Sequence, residues 1–485
     1  MGLLKASEKA YTATHLEEAV ETVQSLETKL SSVEKKVLRL QDQLTVDATT
    51  GLFNSLVLHS ELGELLGRTP RTKAVLFIAT NDIFGLLKKT FSTKIPEWVM
   101  YQTSLRIGKI LGEHGKVYQT KENEFLVFLP DVKSKEQIYA LARTLIEQLE
   151  KNHVMGGYTI GVGFNIGIAF YPEHGKAKSD LLRSADIALS EAVKLKKDFY
   201  PFNPQLKERM TEHVELRNGI LAALQSQSDP GVTPQLELVF QPQVKIFHWK
   251  TAQARWEVIG AEVLIRWIHP SLGPISPAKF IPIAEETGLI IPLSKWIIHN
   301  SISHFAELQG LGYGDISLSV NISARQLTSE ELVLPLTEGL KKRNLSPKNF
   351  KLEVTEGGLI ENFNTVITKL NDLRAAGFPI LVDDFGTGYS SLSYLKKLPV
   401  DILKIDKSFV DGLPDDKGDA SLVKAIITMA SEMNMGTIVE GTENQAQVDW
   451  LHDHGCSIFQ GYFFSKPLRF REFLNFIDQA RLSNP

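Results

Sequence analysis

The chain of 485 residues carries 53 Lys and Arg against 57 Asp and Glu, a formal net charge of −4, and a single cysteine, Cys456. A slightly acidic balance excludes a chain built to hold a nucleic-acid polymer, whose phosphates need concentrated Lys and Arg, and one cysteine excludes a disulfide framework or a Cys-based zinc module. No apolar run nears the ~20 residues of a membrane span, so composition predicts a soluble, cytoplasmic protein of roughly two to four domains. The N-terminal residues show no signal-peptide core, and Ala6 stands where a myristoylation signal after Gly2 needs Ser or Thr.

In chain order, the first element is a heptad repeat. Leu16, Val23, Leu30, Val37 and Leu44 fill one set of positions, and Ala19, Leu26, Val33 and Leu40 the other. The heptad span Leu16–Leu44 therefore reads as a helix of roughly 45 Å with a narrow apolar seam, which makes 1–46 a predicted parallel coiled-coil segment and the chain a dimer.

From 47 to 204, strands and helices alternate. Ala74–Ala79 and Glu124–Leu129 read as strands, Ser134–Lys151 as a helix, and Tyr158–Tyr171 as a strand pair. Asp180–Lys196 reads as a helix with Leu181, Ala185 and Ala188 on its apolar side. This predicts one α/β domain with helices packed on a sheet. Gly156, Gly157, Gly161 and Gly163 imitate a phosphate loop, but neither a Lys-Ser/Thr pair nor a helix start follows, so they read as turn glycines.

The third region, 205–485, opens with a helix at Glu208–Leu224 and a Pro230-Gly231 loop. Strands are expected at Glu237–Val244, Val258–Trp267, Ile316–Ile322, Phe350–Val354, Ile380–Val382, Ile402–Ile405, Thr437–Val439 and Phe459–Phe464, with helical patterns between most of them. That number of strands in about 250 residues predicts an α/β fold of the (β/α)8 TIM-like barrel type. A doubly wound sheet would call for a glycine-rich turn after an early strand, and none is present.

Catalytic groups in such barrels stand at the C-terminal ends of strands. There the sequence places Glu262, Asn321, Glu353 with Glu356, Asp383 with Asp384, Lys404 with Asp406, Glu440 with Glu443, and finally Gln460. Two carboxylates about 4 Å apart repel by roughly 4 kcal/mol at an effective dielectric of 20, so a cluster this acidic needs protons or hard cations. Oxygen donors without cysteine or paired histidine favour Mg2+ or Mn2+. Two such ions sharing carboxylates suit in-line displacement at phosphorus by water. Adjacent Asp383 and Asp384 would face opposite ways along a continuing strand; Gly386 and Gly388 predict that the strand ends, so that both turn to one rim. His452, His454 and Cys456 imitate metal-ligand spacing, but they sit at an expected turn beside Gly455 and read as structural.

These motifs resemble the EAL-domain phosphodiesterases, which hydrolyse the bacterial second messenger cyclic di-GMP to linear pGpG. The resemblance runs from about Glu237 to Phe473. It passes through Phe240-Gln-Pro242, Glu262-Val-Leu264, Phe280-Ile-Pro-Ile-Ala-Glu-Glu-Thr-Gly288 and Val320-Asn-Ile-Ser-Ala-Arg-Gln-Leu327. It continues through Asp383-Asp-Phe-Gly-Thr-Gly-Tyr-Ser-Ser-Leu392, Lys404, Glu440-Gly-Thr-Glu443 and Gln460-Gly-Tyr462. By that resemblance Glu262, Asn321, Glu353 and Asp383 hold one metal, and Asp383, with Asp384 and nearby Glu440, the second. Lys404 would contact the attacking water, and Glu356 would hold the Asp-Asp-Phe-Gly-Thr-Gly loop. Gln241, Leu264, Arg266, Asp406, Glu443 and Gln460 fall at positions near substrate. The departures are Val263 for the signature Ala, Thr442 for a usual Val, and a longer hairpin before Val258; none removes a ligand.

Residues 47–204 resemble the GGDEF domain of diguanylate cyclases through Asp47-Ala-Thr-Thr-Gly-Leu-Phe-Asn54 and Ala185-Asp-Ile-Ala-Leu189. The signature itself reads Lys121-Glu122-Asn123-Glu124-Phe125, with Lys and Glu in place of its two glycines and Asn123 in place of its central carboxylate. Thr80 stands where a metal-binding Asp is expected, Lys88 near the guanine-binding Asn, and Gly112 and Gly115 at the ends of the inhibitory Arg-x-x-Asp motif. These departures imply a domain without cyclase activity that regulates, by sensing GTP, scaffolding, or meeting a protein partner. The expected whole is a homodimer, joined through the coiled coil and the EAL domain, that hydrolyses cyclic di-GMP. The alternative is a catalytically silent cyclic di-GMP receptor.

Overall fold

The structure, a computed structural model, describes residues 25, 26, 28–33, 36 and 44–483, apart from 68–70, 82, 91–93, 156, 228–232, 250–254, 328–331, 361–362, 387–394 and 396. Most of the predicted coiled coil at 1–46 lies outside the described residues. The chain divides into two units, Met1–Glu212 and His213–Pro485.

In the first unit, alternation along the strands decides the layers. The strands are β1 (Phe53–Asn54), β2 (Lys73–Thr80), β3 (Lys116–Lys121), β4 (Glu124–Leu129), β5 (His153–Met155), β6 (Tyr158–Ile160), β7 (Phe164–Tyr171) and β8 (Phe199–Pro201). Six of them form a mixed sheet in the order β1-β3-β4-β2-β7-β8. On β2, Ala74, Leu76 and Ile78 pack with Val99, Ile107, Ile138 and Leu145 of helices Lys94–Leu111 and Lys135–Leu149. Val75 and Phe77 point the other way, onto Leu58, Leu62, Leu181 and Ala185 of helices Ser55–Gly67 and Lys178–Lys194. The result is the expected sheet between helices. The two strands expected within Tyr158–Tyr171 form, as β6 and β7, but do not pair with each other: β6 pairs with β5 in a separate ribbon, while β7 joins the main sheet beside β2. Gly161 and Gly163 lie between β6 and β7 and break the run there.

The second unit adds β9 (Leu236–His248), β10 (Arg255–His269), β11 (Gly273–Ile275), β12 (Ser317–Asn321), β13 (Phe350–Thr355), β14 (Ile380–Phe385), β15 (Ile402–Ile405), β16 (Gly436–Glu440), β17 (Ile458–Gln460) and β18 (Leu468–Arg469). The order β10-β12-β13-β14-β15-β16-β17-β9, with β9 also paired to β10, closes a barrel. Seven of these strands run parallel. The eighth, β9, is antiparallel to both neighbours, so the barrel departs at one strand from the eight parallel strands of the (β/α)8 type. The cause is local: β9 and β10 form a hairpin without a crossover helix, and only a crossover returns a strand parallel. Outward residues such as Val263, Trp267, Leu318, Leu352, Val382 and Leu403 pack with Phe280, Phe305, Leu370 and Val423 of the surrounding helices. The opposite face of each strand is left for the lumen.

Candidate metal centre and active site

Because side chains alternate, the residues that interleave with that outer core share the lumen. Glu262 lies between Ala261 and Val263, Glu353 between Leu352 and Val354, and Lys404 between Leu403 and Ile405. All three are buried. Glu262 lies opposite Gln241, Asn321 opposite Glu353, and Glu440 opposite Gln460 across neighbouring strands. Strand register thus gathers residues as far apart in sequence as Gln241 and Gln460, 219 positions.

Lys404 is the hub. Its Nζ lies 3.2 Å from Glu262 Oε2, 2.5 Å from Glu353 Oε2, 2.9 Å from Asp383 Oδ1 and 2.7 Å from Glu440 Oε1. Glu262 is further held by Asn321 Nδ2, donating to Oε1 at 2.7 Å, and by Gln460 Nε2, donating to Oε2 at 2.6 Å. One cation cannot balance four carboxylates, two of them buried and two partly so, and their protonation reflects this. Burial alone would raise Glu262, but the charge of Lys404 and the bonds from Gln460, Asn321 and Lys404 outweigh it and hold this carboxyl below its usual range. Glu353 goes well above that range through burial and the charge of Glu262. Burial pushes Glu440 up to about 8 despite Lys404. Burial favours loss of the Lys404 proton, but the surrounding carboxylates overcome it and raise the ammonium further.

Two overlapping groups converge closely enough to hold an ion: Glu262, Glu353 and Asp383, and Asp383, Asp384 and Glu440, with each group's ligand atoms within 4.8 Å of one another. Glu353 Oε1 is buried without a hydrogen-bond partner. Oxygen-only donors, a shared aspartate and an orphaned buried carboxylate oxygen fit a pair of hard divalent cations.

The way Asp383 and Asp384 reach one rim differs from expectation. The strand does not end at Asp384; it runs on to Phe385, with a register shift between Val382 and Phe385. Asp384 itself adopts φ +54°, a left-handed conformation. That bulge, and not the glycines, turns its side chain toward Asp383 and Glu440. Burial, with the charges of Asp383 and Asp406, lifts Asp384 to about 6. Just beyond the strand, buried Glu356 accepts the Gly386 amide at Oε2, 2.8 Å away, so it holds the start of the following loop and does not join the carboxylate cluster.

Of the other expected residues, Asp406 caps the short helix Lys407–Val410, accepting from Ser408 N. Glu443 is exposed and ion-paired with Lys407. Arg266 and Leu264 are half-buried on β10, on the same strand face as Glu262. Sequence reasoning missed Gly461 as a site-shaping residue: a Cβ there would stand 2.2 Å from the Thr442 carbonyl oxygen, so the Gln460 turn packs directly on the Thr442 backbone. His454 stacks on Trp450 at 4.0 Å, and the buried Cys456 thiol is pushed up to about 12. Among the described residues neither ion-holding group includes them or His452.

In the first unit, Lys121 ends β3, Glu122 and Asn123 form the turn, and Glu124 and Phe125 open β4. Lys121 pairs with Glu124 at 2.8 Å, Glu122 with Lys88, and Asn123 Nδ2 donates to Thr80 Oγ1 at 3.4 Å. The carboxylates of this turn are therefore met by the chain's own cations. Among the described residues, neither ion-holding group lies in this unit. Beside the turn is a cavity of about 140 Å3, bordered by Asp47, Phe84, Lys88, Glu97 and Glu122. No helix among the described residues is long and apolar enough to cross a membrane.

Residues 224–467 match the EAL domain family, and residues 44–198 the family described as diguanylate cyclase, GGDEF domain. The chain is 30% identical over 426 residues to the bifunctional diguanylate cyclase/cyclic di-GMP phosphodiesterase MucR of Pseudomonas aeruginosa, covering 87% of this chain and 60% of that protein. It is 31% identical over 436 residues to the cyclic di-GMP phosphodiesterase NbdA of the same organism, covering 88% and 53%. Among solved structures it is similar to the EAL enzyme Bd1971 in its cAMP- and cyclic-di-GMP-bound form, at 30% identity and a TM-score of 0.51, covering 66% of this chain and 82% of that one. The chain thus spans 53–60% of the length of these two curated relatives. Because the first match takes in half of the chain, including the barrel strands that carry the acidic rim, the chain belongs to the EAL-domain family, with a GGDEF domain preceding the barrel in sequence.

Proposed function

We propose that this chain hydrolyses cyclic di-GMP to linear pGpG with two Mg2+ or Mn2+ ions, and that its GGDEF domain regulates without making cyclic di-GMP. The observation that carries this reading is the pair of carboxylate groups sharing Asp383, with an orphaned oxygen on Glu353. Glu262, Asn321, Glu353 and Asp383 would hold one ion, and Asp383, Asp384 and Glu440 the other. Bound there, the ions would offset the charge that develops on the phosphodiester and make water a nucleophile near neutral pH. The chain supplies the rest. Lys404, whose proton is held by the carboxylates around it, would act as a fixed cation that orients those carboxylates and contacts the attacking water, and not as a base. Gln241, Leu264, Arg266, Asp406, Glu443 and Gln460 would flank the dinucleotide, and Glu356 would tie the loop after Phe385 to the site.

The paired charges of Lys121, Glu122 and Glu124 support a GGDEF domain that lacks cyclase chemistry and binds GTP or a protein partner, or scaffolds. The reading extends to a cytoplasmic homodimer. The test is incubation of the purified chain with cyclic di-GMP and Mg2+ or Mn2+, with and without GTP, followed by chromatography for pGpG. Formation of pGpG is expected. Tight binding without turnover under every condition would favour the silent receptor, and cyclic di-GMP made from GTP would favour a bifunctional enzyme. Light scattering on a chain lacking residues 1–46 tests the dimer: monomers are expected if the coiled coil carries it, and an unchanged mass moves the interface to the barrel.

A further inference from the structure

Beneath the carboxylate rim the lumen holds a second polar layer that no motif flags. Gln243 lies on β9, opposite Gly260 of β10, and is completely buried. Its Nε2 donates to Gln460 Oε1 at 3.1 Å and to Ser319 Oγ at 3.4 Å. Gln460 Nε2 donates in turn to Glu262 Oε2 at 2.6 Å and to Gln241 Oε1 at 3.4 Å. Ser319 Oγ reaches the Ala261 carbonyl at 3.5 Å.

The direction of this chain of bonds is fixed by chemistry. A side-chain amide donates at one end and accepts at the other. With Gln243 donating to its oxygen, Gln460 must present nitrogen to the Glu262 carboxylate. Were Gln460 reversed, its carbonyl would face that carboxylate, two acceptors within hydrogen-bond distance, while its nitrogen faced the Gln243 donor. The fold accepts a burden for this arrangement: Gln243 Oε1 is buried without a partner. Space at that point is kept by Gly260, where a Cβ would stand 2.4 Å from Ser317 Oγ and 3.3 Å from Gln243 Oε1.

We propose that Gln243 is a positioning residue of the metal centre: by donating to Gln460 it fixes the amide that aims Glu262 at its ion. This rests on the proposed ion site. Partners that orient metal ligands typically change affinity by about 10–100-fold when removed. Gln243→Met, similar in length and unable to donate, is therefore expected to weaken Mn2+ binding by about tenfold or more. Because the effect passes through Gln460, the loss in Gln243→Met/Gln460→Met should equal that in Gln460→Met alone and not the product of the two single losses.

The experiment is calorimetric titration of the full chain with Mn2+ alone, for the wild type, the two single variants and the double variant. Melting temperatures in EDTA separate loss of affinity from loss of fold, and Gln243→Leu serves if the methionine variant does not fold. Mn2+ binding by the wild type with weakened, non-additive binding in the variants supports the proposal. Unchanged affinity in folded Gln243→Met, or additive losses, overturns it while leaving the ion site in place. Absence of Mn2+ binding by the wild type overturns the ion site and this proposal with it.

Discussion

Lys404→Met keeps the length of the side chain and deletes its charge, which isolates what the ammonium does. In the wild type Nζ lies 2.5–3.2 Å from four carboxylates. Removing one partner of a buried ion pair costs about 3–5 kcal/mol. At about 2 °C per kcal/mol for a unit of this size, the metal-free variant should melt roughly 6–10 °C below the wild type. Proton uptake limits the loss, because Glu353 and Glu440 already hold protons well above the usual range. It also fixes the sign with pH. Glu440, raised to about 8 in the folded chain, binds a proton there that the unfolded chain has released above about 4.5, so metal-free stability falls as pH rises between those values. The fall should be steeper without Lys404. Mn2+ at about a hundred times its dissociation constant adds about 3 kcal/mol to either protein, and the same concentration should raise the variant's melting temperature more, since no ammonium competes for the carboxylates. Scanning calorimetry in EDTA and in Mn2+, at pH 6 and 8, measures all of this. Equal melting temperatures in EDTA at pH 8 would refute the reasoning, for the ammonium would then not be compensating the cluster.

Mn2+ affinity of the wild type should rise by about tenfold or more per pH unit between about 6 and 8, as the protons on Glu440 and Glu353 must leave when the ions enter; titration at three pH values checks this, and a flat profile contradicts it. Asp384→Gly should abolish hydrolysis yet fold as stably as the wild type, whereas Asp384→Ala should be less stable than the glycine variant by about 1–2 kcal/mol in urea, because φ +54° strains an alanine. Gly461→Ala places a Cβ 2.2 Å from the Thr442 carbonyl oxygen, so about 1–3 kcal/mol of stability should be lost and hydrolysis should fall as Gln460 shifts; wild-type melting and turnover would show that the turn is not held this tightly.

Most barrel strands were legible because an apolar run carries a polar or acidic residue within it or just after it, and that coincidence also marked the ion-binding rim. The direction of β9 was less legible. A strand's own alternation does not say which way it runs; the missing helix between Val244 and Val258 was the available signal. The bulge at Asp384 escaped because left-handed backbone is advertised by glycine, and the nearby Gly386 and Gly388 drew the argument away from an aspartate that adopts it. The strand at Tyr158–Ile160 was legible but its partner was not, since pairing depends on which sheet edge the chain meets after Gly161 and Gly163. Gln243 could not be found from sequence at all. Its role comes from a bond to Gln460, 217 residues away, and no local spacing records that register.

The most direct test of the central claim is cyclic di-GMP hydrolysis by the wild type and by Glu262→Ala, side by side in Mn2+ and in EDTA. Glu262 is buried and receives donors from Asn321, Gln460 and Lys404, so its loss removes the residue around which the site is arranged. The account predicts pGpG from the wild type in Mn2+ and none from the variant or in EDTA. Wild-type protein that binds cyclic di-GMP without forming pGpG, or a Glu262→Ala variant that keeps turning it over, would contradict it.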